Sequence, residues 1–206
     1  ASGQELPVAL SDLESFYRQA KQRFDEDEDF ARFIDIVADA GCDTFIVHAR
    51  KAWLSGLSPK QNREIPELDY QRVYKIKQLF PQLNIAINGG ITDLDSTATH
   101  LQHVDGVMIG REAYNNPFIL ADIDERFFAA SPNTKSRHDI IEAMLPYIEK
   151  EIAQGCKLNH ISRHILGLYN GLKGAKAFRR HISENAHKKD ANINVIIDAM
   201  QYVKDS

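Results

Sequence analysis

Three short segments carry the residue types that hold a phosphate: His48-Ala49-Arg50, Asn88-Gly89-Gly90 and Gly110-Arg111. Glycine lets backbone N–H groups approach an anion closely. Arginine adds a permanent charge on a planar fork that matches phosphate oxygens. Ordinary left-handed turns at strand ends would also use glycine. The pattern recurs about twenty residues later with an arginine attached, and this favours phosphate. His48 by itself leaves two readings open, a ligand contact or a histidine satisfied within the protein. A second constellation, Lys176, Arg179 and Arg180, has i, i+3, i+4 spacing. On a helix these three share one face, as contacts to a phosphodiester backbone require. Cys42 and Cys156 are too few for a disulfide framework or a cysteine metal cluster. No zinc spacing, P-loop or nucleophile elbow is present.

The elements that would position these residues are legible from periodicity. Ser11 and Glu14 have capping-box spacing at the start of a helical stretch over 11–40, which the acidic run Asp25–Asp29 would divide in two. Thr44–His48 (TFIVH), Asn84–Asn88 (NIAIN) and Gly106–Ile109 (GVMI) are short apolar runs, as buried parallel strands are. Glu5–Leu10 could add a fourth extended segment. A polar loop, 49–67, follows the first run. Helices over 69–80 and 93–102 separate the runs, so strand and helix alternate as in a parallel α/β sheet. Ligands in such sheets bind at the carboxyl ends of the strands, where all three polar segments fall. Helices are expected over 140–153, 161–170, 174–187 and 193–203, with no further strand. The chain therefore divides into an α/β part, 1–130, and an all-α bundle, 131–206, across the polar segment 129–137.

Composition agrees with a folded chain. Of 206 residues, 43% are hydrophobic and 26% charged, enough apolar content for a core. No apolar run approaches the length of a membrane span, and residues 1–10 lack a signal-peptide pattern. A reduced, cytoplasmic protein is expected. The net charge of −4 conceals an asymmetry. Residues 1–43 hold eleven acids and four bases; residues 157–189 hold eight bases, one acid and four histidines. The basic block fits a confined polyanion-binding surface, although charge alone is met more readily by a solvated helix face.

Residues 45–120, with the segments HARKAWLSGLSPKQNR, NGG and GREAYNNP, closely resemble the tRNA-dihydrouridine synthases, in particular their A-type branch. HISRHILGLYNGLKGAKAFRRHISENAH, residues 160–187, resembles the C-terminal helical domain of that branch. The resemblance implies a partial TIM-type (β/α) barrel, its last three or so strands, followed by a helical tRNA-binding domain. It also implies FMN, reduced by NADPH, acting on a uridine of the tRNA D loop at position 20 or 20a. The hydride passes from flavin N5 to uracil C6, and a cysteine acid protonates C5.

Matched residue by residue, His48 is the flavin-contacting histidine. Asn88, Gly89 and Gly90 form one phosphate loop, and Gly110 with Arg111 the second. Lys60 and Arg63 of the polar loop, and Lys176, Arg179 and Arg180 of the helical part, are expected to touch tRNA. Arg50 and Lys51 are further tRNA candidates. Residues 1–24 do not match the lysine-bearing strand expected there. No residue matches the proton donor, since Cys42 precedes the first strand and Cys156 lies between helices.

The chain is thus expected to be the C-terminal portion of a longer enzyme and inactive alone. Its open sheet edges would be covered by the missing half-barrel or by a second chain. Two other functions fit parts of the pattern: a non-catalytic tRNA-binding fragment, or a flavin barrel oxidoreductase acting on a small molecule.

Overall fold

The computed structural model describes residues 27–51, 53 and 56–204. The expected capping box at Ser11, the extended segment Glu5–Leu10 and the start of the 11–40 helix lie outside these residues. The chain separates into two compact units. One runs to Ile91 and includes Asp95–Ile109; the other takes in Thr92–Leu94 and everything from Gly110.

The first unit is α/β. Helix α1 (Asp27–Asp39) leads to strand β1 (Thr44–His48), helix α2 (Tyr70–Leu79), strand β2 (Asn84–Asn88), helix α3 (Leu94–His100) and strand β3 (Gly106–Met108). The strands form a parallel sheet in the order β1-β2-β3, with His48 level with Asn88 and Asn88 level with Met108. All three expected strands are present, and the glycine pair and the Arg50 segment leave the sheet at its carboxyl end.

Side chains alternate across the sheet. Val47, Ile85 and Ile87 are buried against Ile34 of α1 and Val73 and Ile76 of α2. On the opposite face, Ile46 is 59% and Met108 42% exposed. Helix α2 starts where Asp69 accepts the Arg72 N–H, an N-cap bond that satisfies an otherwise orphaned donor. The Arg72 guanidinium lies over the Phe30 ring and pairs with Asp27 at 3.1 Å, joining α1 to α2.

Asp105 joins α2 to the beginning of the sheet. Its carboxylate accepts from Lys77 Nζ and from the Ile85 N–H, both at 2.8 Å. Partial burial pushes the Asp105 carboxyl up, but the Lys77 and Ile85 bonds and the Lys77 charge outweigh this and hold it below 3.8. The folded state therefore prefers the ionised form. This contribution is complete above the ordinary carboxylate range and is lost as pH falls through and below 3.8. For a pair this exposed it amounts to on the order of 0.5–1 kcal/mol. Asp105→Asn is expected to lower the urea midpoint at pH 7 and to lower it progressively less as pH falls below 3.8. A loss that does not shrink with falling pH would show that the charge contributes nothing.

The second unit is helical: α4 (Gly110–Asn115), a 3-10 segment (Pro117–Asp122), α5 (Ile123–Phe128), α6 (Arg137–Ala153), α7 (Leu158–Ser162), α8 (Ala175–Asn185) and α9 (Asn194–Met200). Its core collects Ile141 and Ile148 from α6, Phe178 and Ile182 from α8, and Ile196 from α9, with the Tyr169 ring edge-on to Phe178 at 4.7 Å. Ser136 and Asp139 form a capping box at the start of α6.

Three expectations differ from the structure. The division falls after Ile109 rather than near 130, because Phe118 of the 3-10 segment packs on the helical core. The short helices over 110–128 were not anticipated; each spans only one or two turns, too few for a periodicity to register. The helix expected over 161–170 is confined to α7. Beyond it the chain runs in i→i+3 turns, such as Ile165 to Ser162 and Leu168 to Ile165. Ile165, Leu168 and Tyr169 are all buried there at i, i+3, i+4, the spacing of one helical stripe, which is why the sequence reads as a regular helix.

Candidate phosphate turn and nucleic-acid interface

The turn after β2 is built by the chain on three sides. Gly89 and Gly90 have φ of 128° and 69°, a region that side chains rarely adopt. A Cβ on Gly90 would stand 2.6 Å from Leu68 Cδ1, and one on Gly89 would stand 3.1 Å from Leu68 Cδ2 and 3.4 Å from His48 Cε1. Leu68 is therefore the floor of the turn, and the His48 ring is its neighbour.

The floor is delivered by the pinched base of the loop after β1. The Asp69 N–H donates to the Ala49 carbonyl at 2.7 Å, and Arg50 and Leu68 form an isolated antiparallel bridge. The Ala49 N–H donates to the Asn88 carbonyl at 2.7 Å, and the Tyr70 hydroxyl donates to the Gly89 carbonyl at 3.0 Å. Among the described residues, the N–H groups of Gly90 and Ile91 meet no backbone acceptor, while the Gly89 N–H points along the sheet toward β3, where Asn88 pairs with Met108. Successive backbone donors at a glycine turn are chemically suited to an anion, and Gly90 is exposed while Ile91 is buried.

Gly110 and Arg111 open α4 in the second unit, and both are exposed. Gly110 has an ordinary φ and room for a Cβ, so nothing in the described structure demands glycine there.

The loop after β1 is ordered by side-chain bonds. Asn62 accepts the Trp53 N–H at 2.7 Å and donates to the Trp53 carbonyl at 2.8 Å, imitating a strand pairing. Ser58 and Gln61 exchange bonds across a 3-10 turn, Gln61–Arg63. This scaffold displays Lys60 and Arg63 on its exposed surface, and Lys51 is exposed at its start. Arg50 is placed otherwise. It is half-buried, and its guanidinium donates to the Pro66 carbonyl across the base of the loop, so it is committed to the protein rather than to an outward surface.

In the helical unit, α8 buries Ala175, Phe178 and Ile182 and exposes Lys176 and Arg180, with Arg179 half-buried at the edge. Among the described residues, none of the three cations pairs with a carboxylate, so their positive field is not neutralised locally. Cys42 is half-buried ahead of β1, and its thiol donates to the Thr44 carbonyl at 3.4 Å. Cys156 is half-buried between α6 and α7. Leu68 and Tyr70 carry no mark in the sequence; only the fold brings them beneath the glycine pair. Among the described residues, no helix is long and apolar enough to cross a membrane.

The first unit is thus a parallel α/β sheet with a left-handed glycine turn at a strand's carboxyl end. The chain belongs to the dihydrouridine synthase (Dus) family, whose model it matches over residues 18–204. It is 57% identical over 180 residues to the tRNA-dihydrouridine(20/20a) synthase of Shewanella oneidensis, covering 87% of this chain and 54% of that protein. It is 54% identical over 177 residues to the enzyme of the same name from Vibrio cholerae, covering 85% and 54%. The corresponding Escherichia coli K12 protein is 56% identical over 174 residues, covering 84% and 50%. The chain spans about half the length of these curated relatives.

Proposed function

We propose that this chain is the flavin-phosphate and tRNA-holding portion of an FMN-dependent tRNA-dihydrouridine synthase. That enzyme would use NADPH to reduce uridine 20 or 20a of the D loop. The observation that carries this reading is the Asn88-Gly89-Gly90 turn, a left-handed glycine pair packed on Leu68 and beside His48, with the Gly90 and Ile91 N–H groups meeting no backbone acceptor among the described residues. It occurs in a chain more than half identical to proteins that bear the enzyme's name.

The turn fits a phosphate: its donors are backbone N–H groups, and the space a Cβ would need is already filled by Leu68. Asn88, Gly89 and Gly90 would hold the phosphate, and His48 would lie against the cofactor. For Gly110 and Arg111 the same role rests on the sequence resemblance. When bound, FMN supplies the hydride. The target uridine must leave its stack to reach it, and selection falls to tRNA shape and phosphate contacts. Lys60, Arg63, Lys176, Arg179 and Arg180 are suited to those contacts. Proton donation is assigned to no residue of this chain. The sheet is read as barrel wall, and the exposure of Ile46 and Met108 supports a face that further strands would cover, from preceding residues or from a second chain.

Gly90→Ala tests the cofactor reading. It forces a Cβ onto Leu68 and a side chain into left-handed backbone, and is expected to weaken FMN binding by roughly tenfold or more, measured by flavin fluorescence quenching. Undiminished affinity would remove the phosphate from this turn.

A further inference from the structure

The Asn88-Gly89-Gly90 turn is held from beneath by a residue of α2 that no motif marks. The Tyr70 hydroxyl reaches nineteen residues along the chain to the Gly89 carbonyl at 3.0 Å. In a trans peptide unit the C=O and the following N–H point in opposite directions, and no cis bond is present. Fixing the Gly89 carbonyl therefore fixes the Gly90 N–H on the far side of the same plane. The Ala49 N–H, bound to the Asn88 carbonyl, does the same for the Gly89 N–H.

Tyr70 is itself immobilised. Its ring lies edge-on to His100 at 4.5 Å between centroids, and His100 Nδ1 shares a 2.6 Å hydrogen bond with the Tyr74 hydroxyl. Tyr74 in turn stacks on His103 at 4.3 Å. His100 is 5% exposed and Tyr74 7%, so the residues directly behind the Tyr70 ring are buried. Desolvation raises the Tyr70 pKa, with the Arg50 charge opposing, so the phenol remains a hydrogen-bond donor at neutral pH.

We propose that Tyr70 is a positioning residue of the phosphate turn: its hydroxyl pins the Gly89 carbonyl and thereby aims the Gly90 N–H at the bound phosphate. The inference rests on the phosphate reading of that turn. Tyr70 touches neither cofactor nor substrate and acts through the peptide plane.

The test is Tyr70→Phe in the full chain, which keeps the ring and its contact with His100 and removes one oxygen. Tyr147→Phe is the control, removing an exposed hydroxyl of the helical unit that touches neither the turn nor its support. FMN, riboflavin and inorganic phosphate are titrated while the Gly89 carbonyl and the Gly89 and Gly90 amide resonances are followed by NMR. Tyr70→Phe is expected to shift the Gly89 carbonyl and Gly90 amide before any ligand is added. It is also expected to weaken FMN and phosphate binding by about three- to tenfold, the effect of one hydrogen bond. Riboflavin, which lacks the phosphate, should be unaffected, and Tyr147→Phe should match the parent chain. Equal loss of FMN and riboflavin, or unchanged Gly89 and Gly90 resonances, would overturn the positioning role. If the parent chain's glycine amides ignore both FMN and phosphate, the phosphate reading itself fails. The ligand-free shifts then still decide whether Tyr70 holds the turn.

Discussion

Gly174→Ala is expected to lower the stability of the helical unit by about 2–5 kcal/mol, combining left-handed backbone strain with overpacking against main chain. Gly174 precedes α8 at φ 95°, and a Cβ there would lie 1.9 Å from the Tyr202 carbonyl oxygen and 2.8 Å from its carbon. A flexible side chain could move aside, but a backbone carbonyl cannot move without displacing its neighbours. Val203, the next residue, is buried in the core at 4% exposure, so retreat of residues 202–203 would open that core. The loss is read as the fall in the helix signal's denaturation midpoint. An unchanged midpoint would show that the approach of α8 to the end of the chain is looser than the structure has it. Since α8 carries Lys176, Arg179 and Arg180, weakened tRNA binding should accompany the loss.

The second large effect concerns those cations directly. Replacing Lys176, Arg179 and Arg180 together by alanine is expected to weaken tRNA binding by roughly a hundredfold near 100 mM salt. The slope of log affinity against log salt should fall by about 2–3, because each phosphate contact releases counterions. Fluorescence anisotropy with labelled tRNA at several salt concentrations measures both quantities. The buried face of α8 is untouched by the three substitutions, so its helix signal should persist. Loss of affinity with an unchanged slope would point to a damaged fold instead of lost phosphate contacts. Full affinity would move the tRNA surface elsewhere, with the Lys60 and Arg63 loop next in line.

Much of the first unit was legible because its signals are local. A buried parallel strand shows as a continuous apolar run, and TFIVH, NIAIN and GVM all pair as expected. The α8 stripe was legible for a similar reason: Phe178 and Ile182 recur at helical spacing and are buried, while Lys176 and Arg180 are exposed. The segments over 110–128 escaped notice because a helix of six residues presents too little periodicity. The bond from the Arg50 guanidinium to the Pro66 carbonyl, sixteen residues on, has no local signal in the sequence.

By itself the sequence determined the alternation of strand and helix, the glycine pair after β2, the basic stripe of α8 and the resemblance to the dihydrouridine synthases. Each is written in the spacing of neighbouring residues or in a contiguous motif. The tertiary structure decided what stands under the turn, where the two units part and which cations face outward. Those outcomes depend on contacts between residues far apart in the chain: Leu68 and Tyr70 reach the glycine pair only once the loop base closes at Ala49 and Asp69. A backbone donor's direction is set by what holds the far side of its peptide plane, and no pattern of neighbouring residues encodes that partner.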